Sequence, residues 1–224
     1  MIDALDVVRH ARARHMRLAV HPATGRVRLT LPRRASLAAG IAWAESQGAW
    51  IERQRARIPG RTALIDGAEF PFRGMPLTIR WSPTGSRTPI LNGDAELICG
   101  GPAESLPGRV ERWLRRQALD LLREETLATA ARAMVSVERV AVGDPRSRWG
   151  SCSASGTIRY SWRLIMVPDF VRRATVAHEV AHRVHMNHGA AFHRLVEQLH
   201  EEDPLPAREW LRAHGAALHR IGGA

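Results

Sequence analysis

Two histidines four residues apart, His178 and His182, enclose Glu179 in the run Ala177-His178-Glu179-Val180-Ala181-His182. On a helix, side chains at i and i+4 lie on one face, so both imidazoles can grip a single metal ion. Glu179 falls beside them, where a carboxylate can accept a proton from a metal-bound water. A tetrahedral zinc site that does catalysis needs three protein ligands and one open position. His188 follows six residues later, flanked by Asn187 and Gly189, which allow the chain to turn back. Val176, Ala177, Val180, Ala181 and Val184 make the segment largely apolar, as a buried active-site helix requires. Burying two histidines and a glutamate there without a metal or other partners is costly. The residues therefore point to a zinc hydrolase, with His178, His182 and His188 as ligands and Glu179 as base.

Two rivals compete with His188. His185 lies three residues past His182, but a straight helix carries it about 4.5 Å further along the axis, which suits a role near the cleft better than ligation. Glu202 stands twenty residues beyond His182, a spacing at which a glutamate from a later helix can close such a site. A helix starting at Gly189 would carry it away from the metal.

The elements that must position these residues are legible in outline. The middle of the chain reads as a long helix, about 108 to 133, then a strand at 137 to 142. Ile158, Tyr160, Trp162, Leu164 and Met166 alternate as a strand closed by Pro168. Asp169 opens the helix of the two histidines, expected to end near Asn187, and helices at about 189 to 202 and 206 to 219 follow. Upstream, Met16, Leu18 and Val20, then Val27, Leu29 and Leu31, alternate around Pro22-Ala23-Thr24-Gly25 as a hairpin. Ser36 caps a helix expected to run to about Ile58. Phe70 to Trp81 suggests a strand pair broken at Gly74, and Asn92-Gly93 a further hairpin. The Gly/Pro-rich stretch 100 to 108 is the expected linker. The expected architecture is α+β: a β-rich N-terminal module with one helix at 1–105, and a minimal zincin-like domain at 106–224.

Four separated motifs carry a resemblance. Ser147-Arg148-Trp149-Gly150-Ser151-Cys152, Trp162-Arg163-Leu164-Ile165, the HExxH run, and Asn187-His188-Gly189-Ala190-Ala191-Phe192 are similar to the YgjP-like metallopeptidase domain. The last of these also resembles SprT-like zinc proteases. The resemblance implies a zinc-dependent hydrolase with the three histidines as ligands and Glu179 as base. It leaves the substrate open, since a nucleotide pyrophosphatase activity is also assigned within that family. Gly189 stands where serine is common.

Arg148 admits two readings, a structural turn or a substrate contact holding a carboxylate or phosphate. Trp149, Gly150 and Cys152 read as structural, and Tyr160 as core. Arg163 is out of phase with the alternating strand and is expected to face the cleft. Arg146, Arg148, Arg159 and Arg163 would favour a phosphate substrate if they converged on the metal. A free edge on the strand 157 to 166 would favour an extended peptide. The reading leans to a peptidase-like hydrolase, with a nucleoside triphosphate pyrophosphatase or a nucleic-acid-recruited protease as alternatives.

Composition adds bounds. The chain of 224 residues is 45% hydrophobic and 25% charged, a globular composition. It has no apolar run long enough for a membrane span, and its first residues lack a signal pattern. Two distant cysteines, Cys99 and Cys152, favour a reducing cytoplasm. The net charge of +11 invites a nucleic-acid partner. Every one of the 33 basic residues is arginine, however, which looks like coding bias, and the charge reads as spread along the chain, so this partner is not favoured. Oligomeric state is not legible.

Overall fold

The computed structural model describes residues 5–21, 24–58 and 60–222. The chain forms two compact units, Met1–Gly60 and Arg61–Ala224. Its elements make an α+β protein, with three small mixed sheets and six α-helices among the described residues.

In the N-terminal unit, β1 (Leu5–His10) pairs parallel with β3 (Val27–Pro32), and β2 (Arg17–Val20) pairs antiparallel with β3. The expected hairpin is therefore present; Pro22 and Ala23 of its turn lie outside the described residues. Leu29, Leu31 and Ala44 form a small core with Trp43 against it. The helix expected over 36–58 is two helices, α1 (Leu37–Ser46) and α2 (Gly48–Ala56). Ser36 caps α1 by accepting from the Ala39 amide. Ser46 Oγ donates to the Trp43 carbonyl at 2.7 Å, competing with the helical ladder just before flexible Gly48.

The second unit begins with the sheet β4-β5-β7-β6, from β4 (Glu69–Phe72), β5 (Met75–Ser82), β6 (Ile90–Asn92) and β7 (Glu96–Gly100). Both expected strand pairs are antiparallel hairpins, β4 with β5 and β6 with β7. This sheet was expected to belong with the N-terminal module, divided from the rest near residue 105. Instead, Phe70, Leu77, Ile79 and Leu97 share one apolar core with Val110, Leu114 and Leu122 of α3 (Leu106–Arg132). Shared burial, not the Gly/Pro-rich stretch, sets the division after Gly60.

A second sheet has the order β8-β10-β9, from β8 (Arg139–Gly143), β9 (Gly150–Cys152) and β10 (Thr157–Ser161). The strand expected to reach residue 166 ends at Ser161, and Trp162–Ile165 is a 3-10 turn. Ser161 Oγ accepts from the Arg163 amide, and every residue from Tyr160 to Met166 is buried, a burden an alternating strand does not carry. β10 is also central, flanked by β8 and β9, so it has no free edge for a peptide.

After Pro168 comes α4 (Asp169–Ala181), then α5 (Ala190–His200) and α6 (Leu205–Leu218). α4 packs on α3, α5, α6 and β9. It ends a turn and a half earlier than Asn187: the amides of Val184 and His185 both return to the Ala181 carbonyl. Arg183 then ties the exit to the sheet, donating to the carbonyls of Ser136 at 3.0 Å and Ala154 at 3.2 Å.

Candidate metal centre

The early end of α4 shapes the site. His178 lies on the last helical turn, His182 caps the helix, and the chain turns back so that His188 arrives just before α5. The ligand atoms of these three histidines lie within 4.8 Å of one another. His178 Nε2 and His188 Nε2 are 3.3 Å apart. A tetrahedral ion with Zn–N bonds of about 2.0–2.1 Å sets its ligand nitrogens roughly 3.3–3.4 Å apart, so the pair already has the edge length of such a centre.

The surroundings fit an imidazole site. His182 Nδ1 lies 3.0 Å from the His185 carbonyl, which leaves Nε2 as the free donor; an outer hydrogen bond of this kind orients metal-binding histidines. His185 thus contributes its backbone, not its ring. Phe192 is fully buried beneath the group, its ring 4.6 to 4.9 Å from those of His178, His182 and His188. Burial, helped by the neighbouring histidines, lowers the His178 pKa to about 4, and His188 is lowered in the same sense. These shifts favour the neutral ring, the form that ligates. Neither Glu202 nor His185 joins the cluster found among the described residues.

Glu179 is 5% exposed, and burial raises its pKa to about 7, with nearby Arg148 pulling it back. A carboxylate poised there is suited to take up and release a proton near neutrality. Gly150 of β9 lies against it: a Cβ at this position would come within 2.6 Å of Glu179 Cγ. The glycine expected to serve a structural turn is therefore required by the close approach of the acid.

His178, Glu179 and Gly150 open on a cleft of about 270 Å³, with Arg148, Trp149 and His193 on its walls. Ala174, Val196, Ala207 and Leu211 give it an apolar side. Arg148 is exposed and lines this cleft. Arg163, expected beside it, does not. It is 2% exposed, binds Asp144 with two nitrogens at 2.9 and 3.2 Å, and donates to the carbonyls of Leu218 and Ile221, both at 2.6 Å. The 3-10 turn swings it into the interior, where it also lies over the Trp162 ring. Arg163 is a clamp on the end of α6. Arg146 and Arg159 do not line the cleft either, whereas Arg208 of α6 does, near enough to depress His178 and His188. Arg208 stands in no motif; only its place on the polar side of an amphipathic helix could have marked it. Tyr160 is core, its hydroxyl 3.0 Å from Thr126 Oγ1.

No curated protein and no solved structure matches the chain. Its sequence matches the model of the YgjP-like metallopeptidase domain over residues 14–214, a span that includes every residue of the site just described. A metal-dependent hydrolase is what that family and the histidine triad together suggest, and no helix among the described residues is long and apolar enough to cross a membrane. With nine-tenths of its length covered, the chain belongs to the YgjP-like metallopeptidase domain family.

Proposed function

We propose that the protein is a zinc-dependent peptide hydrolase in which Glu179 moves the proton. The observation that carries this reading is the convergence of His178, His182 and His188, with His178 lining the same cleft as Glu179. A zinc ion held by these nitrogens supplies Lewis acidity and brings the pKa of a water toward neutrality. Glu179, buried with its pKa near 7, takes the proton from the attacking water and returns it to the departing amine nitrogen. Gly150 lets the carboxylate approach, and Phe192 holds the three rings in register.

A peptide is favoured over a nucleotide by two features. Of the four arginines that would have gathered around a triphosphate, Arg148 alone lines the cleft, joined by Arg208. β9 is the edge of its sheet, and its Gly150 lines the cleft, so an extended backbone can pair there. Arg148 and Arg208 are then substrate contacts, each with a guanidinium that suits a carboxylate.

The test combines metal analysis with two substrates. The purified protein is expected to hold one zinc per chain and to cleave casein until a chelator is added. His178→Ala and His188→Ala lose most of the zinc, whereas His185→Ala and Glu202→Ala retain it. Glu179→Gln keeps its zinc and is inactive. Turnover of nucleoside triphosphates without casein cleavage would replace the peptide by a phosphoanhydride, and full zinc in His178→Ala would overturn the ligand set.

A further inference from the structure

The excess charge is not evenly divided between the two units. Residues 1–60 carry eleven arginines against four acidic residues, and residues 61–224 carry twenty-two against eighteen. Between Asp6 and Glu45 there is no acidic residue at all, but eight arginines and three histidines. A preference for arginine over lysine runs through the whole chain. It does not explain why aspartate and glutamate, frequent elsewhere, are absent from this stretch.

The topology of the small sheet concentrates that charge. β1 ends with His10 opposite Pro32 at the end of β3, and antiparallel β2 begins with Arg17 opposite Thr30. The β1–β2 connection and the β3–α1 connection therefore leave the sheet at the same end. They bring Arg12, Arg14, Arg17, Arg33 and Arg34 together, all exposed and none ion-paired among the described residues. Two other arginines of the unit are used differently. Arg28 binds Asp6 at 2.9 Å. Arg9 donates to the carbonyls of Arg33 at 2.8 Å and Ala35 at 2.9 Å, fixing the second connection to the end of β1. α1 starts at this end, adding the partial positive charge of a helix N-terminus.

We propose that this end of the N-terminal unit is a nucleic-acid-binding surface that engages the phosphodiester backbone of DNA or RNA through Arg12, Arg14, Arg17, Arg33 and Arg34. Guanidinium forks pair phosphate oxygens, and arginines with no ion-pair partner among the described residues leave their charge for a polyanion. The two connections, residues 11–16 and 33–36, contain no Phe, Tyr or Trp on which bases could stack, so the cluster is expected to read backbone and not sequence. An anionic membrane is a poorer match: among the described residues of this unit the exposed bulky apolar ones are Val8, Met16 and Leu37, each less than half exposed. The proposal is independent of the hydrolase reading, since no residue of the metal centre takes part.

Fluorescence anisotropy with the full-length protein tests it, using a short labelled DNA duplex, a DNA single strand and an RNA strand, beside vesicles containing phosphatidylserine. Binding to nucleic acid is expected at low salt irrespective of base sequence. Its log–log salt slope is expected at about −4, since each neutralised phosphate contributes roughly −0.9 on duplex DNA. The variant Arg12→Gln/Arg14→Gln/Arg33→Gln/Arg34→Gln should lose affinity about tenfold or more and flatten that slope, with an unchanged circular-dichroism spectrum and melting curve reporting an intact fold. Arg53→Gln/Arg57→Gln, also exposed in the same unit, should change affinity less than about threefold. The milder Arg33→Gln/Arg34→Gln serves if the fourfold variant does not fold. Absence of nucleic-acid binding at low salt, equal losses in the cluster and control variants, or binding to the vesicles alone would each overturn the proposal.

Discussion

Glu179 and Gly150 form a pair in which the smaller residue is as constrained as the larger. The carboxylate occupies the volume that any side chain at position 150 would need, with Glu179 Cδ only 2.7 Å from a Cβ there. Gly150→Ala must therefore displace the acid or bend β9. It is expected to lose about 1–3 kcal/mol of stability, as overpacked sites do, and to lose activity more steeply than stability. A melting curve and a casein assay on one preparation check this; wild-type activity in Gly150→Ala would mean that Glu179 can move without consequence. His178, Glu179 and His182 were legible because their spacing matches the helical period. Arg163 was misread for the opposite reason. Its alternation with Trp162 and Leu164 implies opposite faces only if the strand continues, and the strand stops at Ser161. Arg208 was invisible because a lone arginine on a helix is ordinarily a solvated one.

At the level of elements, the position of α4 depends on how its first turn is held. The β4–β5 turn touches it directly: the Arg73 amide donates to the Ile165 carbonyl at 2.7 Å, and Gly74, at a φ of +82°, packs against Pro168 where a Cβ would lie 2.9 Å from Pro168 Cα. Arg73 binds Asp169 at 2.8 Å, and buried Arg172 reaches Asp169 at 2.9 Å and Glu125 of α3 at 2.8 Å. The Arg73 hydrogen bond, seconded by Arg172, lowers the Asp169 pKa from 3.8 to about 2. A carboxylate depressed in the folded state stabilises it above the unfolded pKa and loses that contribution as pH falls through the folded one. The benefit is thus complete above about pH 4 and fades toward pH 2. Asp169→Asn is expected to be less stable at pH 7 by on the order of 1 kcal/mol, the pair being partly solvated. It should also show a flatter stability decline than wild type between pH 4 and pH 2. Denaturant midpoints across that range decide it, and parallel profiles for the two proteins would remove Asp169 as the cause.

For the molecule as a whole, the centre draws its ligands from a helix turn, a helix cap and a connecting loop, so a metal ion there would join segments that the backbone alone holds loosely. Anything that binds the folded state and not the unfolded one raises stability. Chelation is therefore expected to lower the melting temperature by several degrees, at roughly 2–4 °C per kcal/mol for a chain of this size. The same chelator should leave His188→Ala, which starts without the ion, unmoved. A shift of equal size in His188→Ala would place the stabilising ion elsewhere.

By itself the sequence determined the α+β class, the two hairpins that flank Gly74 and Asn92-Gly93, the cap at Ser36, and the helix bearing His178, Glu179 and His182. Each of these is written in local periodicity or turn chemistry, which a few neighbouring residues are enough to specify. Tertiary structure decided the rest. It ended β10 at Ser161 and placed it between β8 and β9, because residues 160 to 166 are buried on every side. It joined the β4–β7 sheet to α3 across the Gly/Pro-rich stretch, because their apolar faces cover one another. It turned Arg163 inward to the end of α6, brought His188 to His178 and His182, and set Arg208 in the cleft that His178 lines. Those outcomes rest on burial between segments far apart in sequence, and no local pattern records which segments will meet.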